Sequence, residues 1–172
     1  PFPNVDAFVR DRTTGITKRL SEPYTGVNAN GDSRGAVIAR NGRYVVFVST
    51  ASNLMPGDPG FRDVFLRDIV TDTTELVSVD EFGGFPGANS DIASISDDGR
   101  FVVYATLAKN ILPLYEQSDG DADLILRDRC VSDGAPVPAC TPRNILVPTR
   151  FGDGGSPRSD YFDISGDGRY VA

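Results

Sequence analysis

Three acidic residues alternate along Ser118-Asp119-Gly120-Asp121-Ala122-Asp123. A curved loop could aim Asp119, Asp121 and Asp123 at one hard cation, and calcium, which is held by carboxylate and carbonyl oxygens, is the natural candidate. The full EF-hand pattern is absent, because Leu124 stands at its Gly position and Cys130 at its closing Glu. A solvated turn is the plainer reading, and Asp123 also belongs to a repeated strand motif. Asn28-Ala29-Asn30-Gly31-Asp32 is a weaker version of the same pattern. The second chemical feature is the pair Cys130 and Cys140, the only cysteines of the chain. With no further Cys and no His they lack the company a zinc site needs, and their spacing is not the Cys-x-x-Cys of redox proteins. The segment CVSDGAPVPAC suits a hairpin loop closed by a structural disulfide, which implies an oxidising compartment.

Other chemistry is excluded by composition. The absence of His removes His-based triads, His general bases, His-ligated zinc and haem held through His. Ser96-Asp97-Asp98-Gly99 has the wrong spacing for a sialidase Asp-box in a chain without Trp. Paired carboxylates for glycoside hydrolysis are not singled out among the 20 Asp. No catalytic residue is assigned and no enzyme activity is expected. A net charge of −7 argues against nucleic acid or an anionic membrane as the main partner. No apolar run approaches the roughly 18 residues of a spanning helix.

The elements that must position these residues are strands. The acids are 20 Asp and four Glu, the bases 15 Arg and two Lys, with 18 Gly and 12 Pro in 172 residues. Short runs rich in Val, Ile, Phe and Tyr lie between Asn-Gly and Asp-Gly turns, an all-β composition. Internal repetition organises them. DAFVRD from Asp6, DVFLRD from Asp63 and DLILRD from Asp123 form one series; NGRYVVF from Asn41, DGRFVVY from Asp98 and DGRYVA from Asp167 form a second. Asp6 to Asp63 and Gly42 to Gly99 are both 57 residues. ASNLMP (51–56) matches AKNILP (108–113) at the same distance from the turn. The spacing within a unit is 36 residues twice (6 to 42, 63 to 99) and then 45 (123 to 168), so nine residues are inserted around the cysteines. The units run about 6–62, 63–122 and 123–172.

Each unit predicts two hairpins. The first joins the Asp-x-x-x-Arg-Asp strand to ITKRLS, TELVSV or RNILVP; the second joins GAVIA, IASIS or YFDIS through Asn-Gly or Asp-Gly to the Arg-aromatic strand. These dipeptides suit two-residue turns with positive φ. Consecutive apolar positions such as VVFV and LIL predict strands covered on both faces. Arg10, Arg67 and Arg127, each followed by Asp11, Asp68 or Asp128, recur in every unit, as do Arg43, Arg100 and Arg169 after each turn Gly. They could line a substrate channel. Recurrence favours a structural part instead, tying turns or neighbouring units by charge-assisted hydrogen bonds.

Four strands per unit, buried on both faces, describe β-propeller blades. SDDGRFVVY (96–104), SGDGRYVA (165–172), ARNGRYVVF (39–47) and Ala51–Asp58 followed by DVFLRD resemble the TolB-like, WD-repeat-like propeller repeats of bacterial secreted and cell-surface proteins. The resemblance implies an all-β propeller of four-stranded antiparallel blades, about three blades' worth, out of phase at both ends. The chain opens on Pro1 and its only Met is Met55, so it is expected to be processed or excerpted. The ring would be completed by the remainder of a longer propeller or by a homo-oligomer. The function expected is a non-catalytic scaffold or protein-interaction module, extracellular, periplasmic or on a bacterial surface. The alternative is a carbohydrate-binding or carbohydrate-active propeller using Asp carboxylates with the loop aromatics Tyr24, Phe61, Phe82, Phe85 and Tyr115.

Overall fold

The computed structural model describes residues 4–24, 26, 28–113, 122–148 and 162–172, and among them there is no helix. Two four-stranded antiparallel sheets form the body. Sheet I has the order β3 (Ser33–Ile38), β4 (Tyr44–Ser49), β5 (Asp63–Asp68), β6 (Thr73–Leu76). Sheet II has the order β7 (Ser90–Ile95), β8 (Phe101–Thr106), β9 (Asp123–Asp128), β12 (Arg143–Leu146). Each sheet joins the second hairpin of one sequence unit to the first hairpin of the next. Equivalent registers carry the join: Tyr44 faces Asp68 in sheet I and Phe101 faces Asp128 in sheet II. Neither sheet closes on itself. Hairpins flank them on both sides: β1 (Phe8–Arg10) with β2 (Thr17–Arg19) before sheet I, and a strand-like pair bridged at Ile164 and Val171 after sheet II. Inside the insertion, β10 (Val131–Ser132) pairs with β11 (Ala135–Pro136).

The Asn-Gly and Asp-Gly hairpins form, but not through the expected two-residue turns. Only the glycines, Gly42, Gly99 and Gly168, have positive φ (73°, 76° and 71°). Ala39 N–H donates to Tyr44 O and Gly42 N–H to Ala39 O, and the same pair of bonds recurs at 96–101 and 165–170. Four residues, 40–43 in the first case, therefore lie inside the closing bond, with the left-handed glycine third. The side chain before each Gly is engaged elsewhere: Asn41, Asp98 and Asp167 accept the backbone N–H of Arg43, Arg100 and Arg169 at 2.9, 3.0 and 3.0 Å.

Every residue of β4 and β5 is buried, as their unbroken apolar runs predict. Alternate side chains then enter different cores, because successive strand residues face opposite ways. Val45, Phe47 and Phe65 pack with Ala7 and Leu20 of the first hairpin, the two Phe rings stacked 5.9 Å apart. Tyr44, Val46, Val64 and Leu66 meet Ala93, Ile95, Val102 and Tyr104 of sheet II. Val103 and Leu124 turn away from sheet I and cover Ile164. The result is four layers: the first hairpin, sheet I, sheet II and the last hairpin.

A repeated joint fixes neighbouring layers. A Cβ on Gly99 would overlap the ring of Tyr44, and one on Gly168 would overlap the ring of Phe101. Tyr44 and Phe101, the aromatic residues after the first two Gly-Arg pairs, thus lie against the turn glycine of the next layer, and only a bare Cα leaves room.

Candidate functional site

Among the recurring charges, sheets I and II use Arg and Asp internally. Arg43 donates from Nε (3.0 Å) and Nη2 (2.7 Å) to Asp68 Oδ2, and Arg100 grips both oxygens of Asp128 at 2.9 Å. Each pair ties the second hairpin of one unit to the first hairpin of the next. Burial pushes the Asp68 carboxyl up, but Arg43 and the N–H groups of Thr71 and Val70 outweigh it and hold the pKa at about 2. Arg100 is the leading cause that keeps Asp128 below the usual range. The other arginine series lies along the first hairpins. Arg10 and Arg67 donate to Thr17 and Thr74 at 2.8 Å, and Arg127 to Asn144 at 3.4 Å, each to its cross-strand partner. Arg67 also holds Asp72 and, at 3.3 Å, Glu22. These contacts are those of structural ties rather than of an open channel.

Departures from the repeat lie elsewhere. Cys130 and Cys140 form the expected disulfide, with Cα atoms 5.5 Å apart. Between them the chain makes a true two-residue turn, Asp133 (φ 49°) and Gly134 (φ 87°). The strand register assigns ten residues to the insertion: Arg67 faces a residue seven positions on, Arg127 one 17 positions on. The spacing of nine is thus a net value. The hairpin folds back across both sheets. Asp133 accepts from Asn41 Nδ2 at 2.9 Å and, through its carbonyl, from Arg43 at 2.8 Å, while Ser132 Oγ donates to Asp98 at 2.8 Å. It straps the turn of sheet I to the turn of sheet II.

Beside this strap lies an open groove of about 490 Å³, lined by Arg100, Val137, Pro138, Cys140, Thr141 and Arg143. Arg100 and Asp128 neutralise each other at its floor. Arg143 is exposed and makes no side-chain hydrogen bond or ion pair among the described residues. The groove combines apolar walls with one exposed cation, whose charge reaches Asp128 without an ion-pair contact, and suits a carboxylate carried on an apolar segment. Asp128 lies close to both sulfurs, but these are bonded to each other, so neither offers a thiolate to a metal.

Asp119 and Asp121 of the calcium reading lie outside the described residues, as does Tyr115. Asp123 is the first residue of β9, facing Thr106 across the ladder. The remaining loop aromatics do not converge. Phe82 is 88% exposed and Phe61 39%, whereas Phe85 packs against the core between the first hairpin and sheet I. Tyr24, with Glu22, Met55, Arg67 and Asp72, lines a second open pocket of about 380 Å³.

Two features escape sequence reading. Arg129, almost fully buried, forks Glu75 of β6 (2.6 Å at its closest), bonds Gly99 O and lies 5.1 Å over the Tyr44 ring. It rivets sheet II to sheet I. The only sign in the sequence is that Arg replaces the Ile69 of the previous unit. The second is Asp91, which accepts from Arg62 and from Arg34 at 3.4 Å. Arg34 and Asp91 occupy equivalent repeat positions with opposite charges, and comparing the units position by position could have found them.

No helix of the described residues is long and apolar enough to cross a membrane. No protein-family model, curated protein or solved structure matches the chain.

Proposed function

We propose that the chain is a stretch of TolB-like β-propeller and works as a non-catalytic scaffold or protein-interaction module of a secreted, periplasmic or bacterial cell-surface protein. The observation that carries this reading is the division of labour between repeated and unrepeated residues. Arg43–Asp68 and Arg100–Asp128 are closed internally, whereas the unrepeated insertion is pinned by a disulfide and flanked by a groove with an exposed Arg143. Rigid sheets presenting a stiffened loop favour recognition, because a pre-ordered loop loses little entropy on binding. The disulfide fits an oxidising compartment. The four layers, their alternating cores and their repeated aromatic–glycine joint suit blades arranged about an axis.

A second reading, carbohydrate binding, is favoured by one place: Tyr24, 58% exposed, beside Glu22 and Asp72. One set of experiments separates the two. Replacing residues 131–139 by a Gly-Ser linker should abolish stoichiometric co-purification of a partner from the envelope fraction of the producing cells. Tyr24→Ala should leave that partner bound. A partner retained by the linker variant, or oligosaccharide binding that Tyr24→Ala removes, would overturn the first reading in favour of the second.

A further inference from the structure

Three equivalent acids open the first hairpins of the units: Asp6, Asp63 and Asp123. In the first unit both oxygens of the acid have a partner. Ser21 Oγ donates to Asp6 Oδ1 at 2.7 Å, and Arg19 stands 3.7 Å from Oδ2. Asp63 keeps the first of these contacts, from Ser78 Oγ at 2.9 Å, and loses the second. The ladders show why. Arg19 faces Phe8, whereas the residue that faces the equivalent Phe65 is Leu76. Asp63 is 0% exposed, and its Oδ2 is left without a hydrogen-bond partner.

A second carboxylate stands nearby instead of a cation. Asp58 belongs to the loop of residues 50–62, which the pair Ser49 and Asp63 closes at its base. The loop folds back on itself, so that a Cβ on Gly60 would lie 3.8 Å from that of Ser52. One Asp58 oxygen accepts from Gly60 N–H at 2.7 Å, and the other, Oδ2, is buried and unpartnered like that of Asp63. Asp58 is near enough for its negative charge to oppose ionisation of Asp63. The adjacent Arg62 ion-pairs with Asp91 rather than with either acid. Two buried carboxylate oxygens thus lack a donor where the first unit puts an arginine, and a buried charge without a counter-charge is costly. The third unit repeats the substitution. Leu146 faces Ile125, at the position of Arg19, and acids again precede the repeated one: Asp119 and Asp121 before Asp123.

We propose that Asp58 and Asp63 hold a calcium ion, which takes the place of the arginine of the first unit. Carboxylates presented by an irregular loop suit calcium, whose oxygen shell is flexible, better than magnesium, which demands a strict octahedron and gives up its water reluctantly. Asp58 is only partly buried, which leaves the ion a way in and room for water in its shell. The ion ties the loop of residues 50–62 to the start of β5. This does not depend on how the layers are arranged about one another.

Thermal and calorimetric titration of the chelator-stripped full chain with calcium chloride near pH 8 tests the site, with magnesium and potassium chlorides at equal ionic strength as controls. Calcium at about a hundredfold over its Kd should raise Tm by about 5 °C or more, and neither control salt should do so. Asp58→Asn and Asp63→Asn each remove one charge with little change of shape. Each should weaken calcium binding at least about tenfold, yet melt without calcium no lower than wild type, because one carboxylate no longer faces the other. The double variant Asp119→Asn, Asp121→Asn should keep the calcium response. A wild type that ignores calcium, an equal response to magnesium or potassium, a response kept by Asp58→Asn or Asp63→Asn, or one lost with Asp119 and Asp121 alone would overturn the proposal.

Discussion

Asp63 shows what a recurring acid costs when its surroundings change. It is fully buried at the start of β5, accepts from Ser78 Oγ at 2.9 Å, and its other oxygen has no partner. Burial pushes its pKa up, Ser78 pulls it down and the nearby Asp58 pushes it up again, leaving it at about 7 against 3.8 for a free carboxyl. Between those values the folded state binds the extra proton, so this group's stabilisation is full below about pH 4 and is lost as the pH rises through 7. Asp68 runs the other way, but with a pKa of about 2 its contribution falls away only in stronger acid. Thermal unfolding should therefore show stability declining from about pH 4 to pH 8. Asp63→Asn should flatten that decline by on the order of 3 kcal/mol; an unchanged slope would mean that the buried carboxyl is not the cause. The sequence makes Asp63 visible as one of three equivalent acids, but not as the one with an orphaned oxygen. Burial depends on which layers cover a strand, and that is not local information. For the same reason the structural part of Arg43 and Arg100 was legible from their recurrence, whereas Arg129, set once against Glu75 and Tyr44, was not.

At the scale of elements, the hairpins were legible because alternating turn and strand residues act locally. The turn type was not. An Asn-Gly or Asp-Gly dipeptide permits two positive φ angles, yet in the repeats Asn41, Asp98 and Asp167 use their side chains to cap the following arginine N–H. Only Asp133-Gly134, free of that duty, makes the two-residue turn. The joints between layers give a sharper comparison. Gly42 and Gly99 have nearly the same φ, but only Gly99 lies against a ring. Gly42→Ala should cost about 1–2 kcal/mol for the left-handed backbone alone. Gly99→Ala should cost roughly 1–3 kcal/mol more, because Tyr44 is buried and cannot yield. Chemical denaturation of both variants measures the difference. Equal losses would mean that the aromatic–glycine contact does not hold the sheets together.

At the scale of the molecule, the 57-residue repeat announced sheets of one kind, and two complete ones are present with half-sheets on either side. How the layers are arranged about one another decides the reading of the whole. An experimental density map of the assembled protein is the most direct measurement. The propeller reading predicts that β3 and β7 lie innermost around a shared axis and β6 and β12 outermost, with the strap at 131–139 on one rim. Sheets lying as parallel slabs, with β3 and β7 no nearer a common axis than β6 and β12, would contradict it.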